Sequence, residues 1–169
     1  MILPFSTKFP DGKPTYFIEK IWASIPELKT PYKFNYEELF VNKFNVLWDG
    51  WGESFKPKKH TIRADIHNRW KPGNKIHMVV FNRSKNQFQF APVLECKSVQ
   101  KIEIIYSNPN SDYPFVKIDG ARYNVWEKSG LKMISEIAIN DGFKSDIDFF
   151  QWFNKDFQGK IIHWTDLRY

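Results

Sequence analysis

The whole chain holds a single cysteine, Cys96. One thiol forms no internal disulfide, and no cysteine or histidine spacing in the sequence suits zinc. Cys96 sits in the apolar pattern Val93-Leu94-Glu95-Cys96 and is expected to be a buried strand residue. No stretch approaches the roughly 18 consecutive apolar residues of a membrane span. The opening Met1-Ile2-Leu3-Pro4-Phe5-Ser6 lacks the basic region and long apolar run of a secretory signal. These absences lead us to expect a cytoplasmic protein with no membrane partner, no metal and no cofactor. Internal repeats and low-complexity linkers are missing as well, and 169 residues suit one domain with a real core better than two.

Aromatics are abundant, with 16 Phe, 7 Trp and 7 Tyr. They bury large areas in a core and also offer flat faces to bases, so the excess serves packing, stacking or both. The net charge of +6 is unevenly spread. Residues 56–85 hold nine Lys and Arg against one acid, Asp65, which makes a local +8 and leaves −2 for the rest. Such a block favours an anionic partner, because phosphates release counterions there. The plain alternative is a solvated surface.

Strand and helix periods divide the chain. Ile2 to Phe5 reads as a short strand. Phe17, Ile18, Ile21, Trp22 and Ile25 recur at helical spacing after Pro14. Residues 26–57 are punctuated by Pro26, Pro31, Gly50, Gly52 and Pro57, with short apolar patches between. His60 to Ala64, Lys75 to Asn82, Phe88 to Leu94 and Val99 to Tyr106 read as strands separated by turns. The turn Lys71-Pro72-Gly73-Asn74 precedes the second of them. Phe115 to Ile118 and Arg122 to Val125 flank Asp119-Gly120-Ala121 as a hairpin. Leu131, Ile134, Ile137 and Ala138 share a helical face that Gly142 ends. Ser145 stands three residues before Asp148, a capping pattern that opens a helix expected over Ile147 to Phe157. Lys160 to Trp164 closes as a strand.

The order of these elements resembles the ASCH family of the PUA-like superfamily. Lys58, Thr61 and Arg63 match the family loop, roughly Gly-x-Lys-x-x-(Glu or Thr)-x-Arg, with Lys56 where the glycine would be. Lys71-Pro72-Gly73 falls at the family's glycine turn, and Asn140-Asp141-Gly142-Phe143 resembles its Glu-Gly-Phe segment. The resemblance covers about residues 56–106 and 131–164. It implies an α+β fold: a small, mostly antiparallel PUA-like β-barrel with flanking helices. On this reading residues 1–169 form a single ASCH/PUA-like domain with insertions near 26–57 and 107–128.

Some ASCH proteins hydrolyse N(4)-acetylcytidine with a lysine, a threonine and a glutamate. By position these roles fall on Lys58, Thr61 and Asp141. Other members are proposed to bind RNA, so the resemblance implies RNA or a modified nucleoside as partner. In a hydrolase Thr61 would supply the hydroxyl, Lys58 the base once its pKa is depressed, and Asp141 the acid–base partner. Lys58 and Thr61 lie three residues apart and point to opposite sides of an extended segment, so the trio requires Lys58 on a loop that turns back. The bland reading makes Asp141 a turn residue and Arg63 a brace of the barrel, paired with Asp65 or Asp141.

A binding module needs only a basic rim and an aromatic face. Lys59, Arg63, Arg69 and Lys71 supply the first, and Trp70, flanked by Arg69 and Lys71, is the leading candidate for the second. Trp48 and Trp51 form another aromatic pair. His60, His67 and His77 show no ligand spacing, and His163 is expected to be a satisfied structural histidine bonded to the closing loop. The residues thus suit RNA or nucleoside binding first, an amidohydrolase second and a protein-interaction module third.

Overall fold

The computed structural model describes residues 1–28, 32–47, 55–106 and 113–169. The fold is α+β, with four α-helices and two mostly antiparallel sheets among the described residues. Neither sheet closes into a barrel by its strand pairings among these residues. None of the described helices is long and apolar enough to cross a membrane. The chain divides into two compact units. The first holds residues 1–58 and 74–95, the second residues 59–73 and 96–169. The basic segment 56–85 is therefore shared between them.

The first unit is built on β3 (Lys75–Val80), whose Ile76, Met78, Val79 and Val80 are buried. Along one side runs β1 (Ile2–Pro4), paired in parallel through Ile2 with His77 and Pro4 with Val79. Along the other run β4 (Phe88–Gln89) and β5 (Leu94–Glu95), both antiparallel. The sequence reads Phe88 to Leu94 as one strand, but residues 90–93 bulge out opposite only His77 and Met78. Pro92, which has no N–H, lies inside the bulge and cannot donate to a ladder. The helix α1 (Phe17–Ala23) buries Phe17, Ile18, Ile21 and Trp22, and the Trp22 indole donates to the Phe90 carbonyl at 3.0 Å. A second helix, α2 (Tyr32–Phe44), follows a short 3-10 turn at Pro26–Leu28.

The second unit is an open five-stranded sheet in the order β2-β9-β6-β7-β8. These strands are β2 (His60–Arg63), β6 (Ser98–Ile105), β7 (Phe115–Ile118), β8 (Ala121–Tyr123) and β9 (Phe157–His163). Register fixes what each face carries. Ile62, Ile161 and Gln100 are aligned across the first three strands, as are Arg63, Lys160 and Lys101. Side chains alternate along a strand, so one face gathers Ile62, Ile102, Ile104, Val116, Ile118 and Ile161, all buried. The opposite face carries the charged set. The turn joining β7 to β8 has positive φ at both Asp119 (48°) and Gly120 (93°), the conformation that a two-residue hairpin with right-handed twist requires.

Two helices complete this unit. In α3 (Lys128–Asn140) the buried residues are Gly130, Ile134, Ile137 and Ala138, while Leu131 is exposed. Its end is locked where Gly142 takes φ 93° and Phe143 N–H reaches back to the Ala138 carbonyl at 2.9 Å. The helix α4 (Asp146–Trp152) starts as expected, with Ser145 Oγ accepting from Asp148 N–H at 3.1 Å. Removing that cap by Ser145→Ala should cost about 1 kcal/mol, or a fall of about 2–4 °C in the midpoint of a thermal melt. An unchanged midpoint would show that the cap contributes nothing.

The end of α4 differs from the sequence expectation. The helix stops at Trp152, and Phe157 is the first residue of β9, opposite Ile104. The aromatic spacing suits a longer helix, but Tyr106 intervenes. Its hydroxyl donates to the Phe153 carbonyl at 2.7 Å, and its N–H donates to the Asp156 carboxylate at 2.8 Å. Long-range strand pairing overrides a local helical period here.

Candidate nucleic-acid interface

Lys58 belongs to the first unit and is 1% exposed. Its N–H donates to the Lys20 carbonyl at 2.9 Å, and its ammonium lies 4.6 Å from the Phe17 ring centre and 5.9 Å from that of Phe5. Two aromatic faces thus hold the charge by cation–π attraction. Thr61 and Asp141 belong to the second unit, and both are buried. Asp141 caps the C-terminus of α3, and its Oδ1 lies 3.7 Å from His60 Nδ1. Strand alternation turns Thr61 to the face opposite His60.

His60 opens a buried polar cluster that sequence reasoning passed over. Its Nε2 is 2.8 Å from the Tyr169 hydroxyl, which also accepts from the Asn140 amide at 3.1 Å. Burial pushes the Tyr169 phenol up, well above its usual range. The Tyr169 backbone is held in turn by the Gln100 side chain, which donates to its carbonyl at 2.8 Å and accepts from its N–H at 2.9 Å. His163 packs beside these groups, its ring centre 5.2 Å from that of His60 and 6.0 Å from that of Tyr169. It is fully buried, and neither ring nitrogen has a hydrogen-bond partner among the described residues. The expected bond to the closing loop is absent, because β9 carries the ring into the interior. Burial drives its pKa down to about 4, with Arg168 acting in the same direction and Asp119 against it. Burial likewise lowers Arg63, opposed by the Asp141 carboxylate.

The charged face of the second sheet lies on the other side. Arg63, Lys160 and Lys101 are aligned across β2, β9 and β6, and Glu103, Lys117 and Arg122 across β6, β7 and β8. Lys160, Lys101, Lys117 and Arg122 therefore share this face with Glu103, which lies 3.6 Å from Lys117, whereas the Arg63 guanidinium is buried with the Asp141 carboxylate acting on it. The Arg122 guanidinium stacks 3.8 Å over the Phe115 ring centre. A groove of about 490 Å³ runs along this face, lined by Asp65, Asn68, Lys101, Glu103, Gln158 and Lys160 among others.

The loop after β2 forms the rim. Asp65 accepts from Arg69 N–H at 3.0 Å and Trp70 N–H at 2.9 Å, and its carboxylate lies 3.3 Å from the Lys160 ammonium. Burial acts to raise the Asp65 pKa, but those N–H bonds and Lys160 outweigh it and hold the carboxyl below its ordinary value. The loop thereby presents Arg69 and Lys71 to solvent, while Lys59 is half-buried, its N–H donating to the Asn140 carbonyl at 2.8 Å. Arg63 does not pair with Asp65, whose partner is Lys160.

Trp70 is 6% exposed, so its ring belongs to the core and offers no open face for stacking. Trp48 and Trp51 lie outside the described residues. Lys101, Lys117, Arg122 and Lys160 were missed because they are single cations dispersed through two strands, β6 and β9, and the β7–β8 hairpin. The alternation Lys101-Ile102-Glu103-Ile104 was the available signal. Among the described residues no group of His, Cys, Asp and Glu is arranged to hold a metal ion. No protein-family model, curated protein or solved structure matches this chain.

Proposed function

We propose that this chain is an ASCH-type, PUA-like RNA-binding domain whose contact surface is the charged face of the second sheet. The observation that carries this reading is the placement of Lys101 and Lys160 along a groove of about 490 Å³, with Arg69 and Lys71 exposed on the loop after β2. Spaced cations over an open groove suit a phosphodiester backbone, and a groove of that size also admits a single modified nucleoside. A single-stranded RNA oligonucleotide should bind with an affinity that falls steeply as salt rises. Lys71→Ala and Lys101→Ala should each reduce the slope of log K against log salt by roughly 0.7, the release from one phosphate contact on a single strand. Binding that ignores salt, or slopes unchanged in both variants, would rule the face out.

The second reading is hydrolysis of an acylated cytidine. Thr61 and Asp141 are buried polar residues of one unit, but Asp141 lies beside His60 and strand alternation turns Thr61 to the opposite face. Release of cytidine from N(4)-acetylcytidine, abolished in Thr61→Ala, is the result this reading needs. Its burden is access, since Lys58, Thr61 and Asp141 are all nearly inaccessible to solvent.

A further inference from the structure

Trp126 is 79% exposed, although tryptophan is among the most buried side chains on average. The segment that carries it is ordered by its own hydrogen bonds. The Asn124 side chain accepts from both Trp126 N–H and Glu127 N–H at 3.1 Å, and its amide donates to the Glu127 carboxylate at 2.8 Å. The indole is therefore held out into solvent by a fixed turn between β8 and α3. Its ring meets Tyr113, itself 43% exposed, edge to face at 5.8 Å between centres.

In the chain Asp112 stands next to Tyr113, while cations flank Trp126. Arg122 precedes it on β8, and Lys128 and Lys132 follow it on the exposed first turns of α3. Of the nearby acids, Glu127 is engaged by Asn124 and Glu136 lies 4.0 Å from Lys132. A rigid, exposed indole among basic residues is what base stacking requires. Every base has a flat π-face, and the ordering cost has been met before the ligand arrives.

We propose that Trp126, buttressed by Tyr113, is a stacking platform for an unpaired base of single-stranded RNA, at the β8 edge of the charged sheet face. The platform rests on the RNA-binding reading and extends it: the groove engages phosphates, and the platform selects unpaired over paired strands. A paired base already lies in its own stack and does not offer its face to the indole.

The test is fluorescence anisotropy with a labelled single-stranded RNA of mixed sequence and with the same strand annealed to its complement. Trp126→Ala should lower affinity for the single strand about tenfold or more while leaving the salt slope intact. Trp126→Phe should keep most of the affinity, Tyr113→Ala should lose part of it, and the duplex should be indifferent to all three. Circular dichroism on each variant verifies folding. Salt-dependent binding that is unaffected by Trp126→Ala would overturn the platform and leave the sheet-face reading intact. Absence of RNA binding by the unaltered chain would overturn both.

Discussion

Gly130→Ala is expected to destabilise the second unit by about 3 kcal/mol, lowering the thermal midpoint by about 10 °C. Helix propensity alone predicts the opposite sign. Within a helix, alanine is favoured over glycine by roughly 0.5–1 kcal/mol. The geometry outweighs that gain. A Cβ at Gly130 would run into the Asn124 carbonyl oxygen and come within 2.7 Å of the Asn124 nitrogen, and both are backbone atoms that cannot rotate away. Either α3 or the Asn124 turn must shift. Since that turn also holds Trp126 out, RNA affinity should fall with stability. A variant as stable as the parent, or more stable, would show that the turn yields cheaply and that the close approach is unimportant. Gly159→Ala should behave similarly, because its Cβ would meet the Arg63 carbonyl and the Phe157 ring.

Acidification should destabilise the protein through His163. Its folded pKa is about 4 against an ordinary 6.5, so between these values the unfolded chain binds the extra proton and the folded chain does not. The stability associated with the neutral ring is fully present above about pH 6.5. It declines as pH falls and is lost at about pH 4, for a total of about 3 kcal/mol. The groups facing this ring are His60 and Tyr169 by direct packing, with Arg168 and Asp119 acting at longer range. Urea unfolding at pH 7 and pH 4.5, in the parent and in His163→Leu, isolates the effect. The leucine variant should lose most of the difference between the two pH values. The same pH dependence in both proteins would assign the acid sensitivity elsewhere, with His60 and Asp141 the next pair to test.

Much of the element order was legible because periodicity and turn chemistry are local. Phe17, Ile18, Ile21 and Trp22 mark α1, Asp119-Gly120 marks the hairpin, and Ser145 marks the start of α4. Reading failed where a distant partner decided the outcome. Nothing within ten residues of Phe157 announces that Ile104 will draw it into a strand, and Pro92 signals a break only once β3 shows which residues pair. The candidate site was legible as basic residues and illegible as a surface. The charge run at 56–85 stood out, yet the aligned cations come from β2, β6, β7, β8 and β9, one from each. Trp70 had the right neighbours and the wrong burial, because Asp65 folds its loop inward. Trp126 had the exposure that mattered, but no cation lies directly beside it in the sequence to draw attention.

The interleaving of the two units along the chain bears on how the protein is made. β2 is complete at Arg63, yet its partner β9 begins at Phe157, and no other strand among the described residues pairs with β2. At ribosomal speeds of about 5–20 residues per second, that leaves β2 waiting roughly 5–20 s for its partner. A nascent chain interrupted before residue 157 would display β2 with both edges unsatisfied, and β6 with one, throughout that interval. Chains truncated shortly before residue 157 should therefore aggregate or require chaperones, because they hold β2, β6, β7 and β8 but lack β9, the strand that joins β2 to β6.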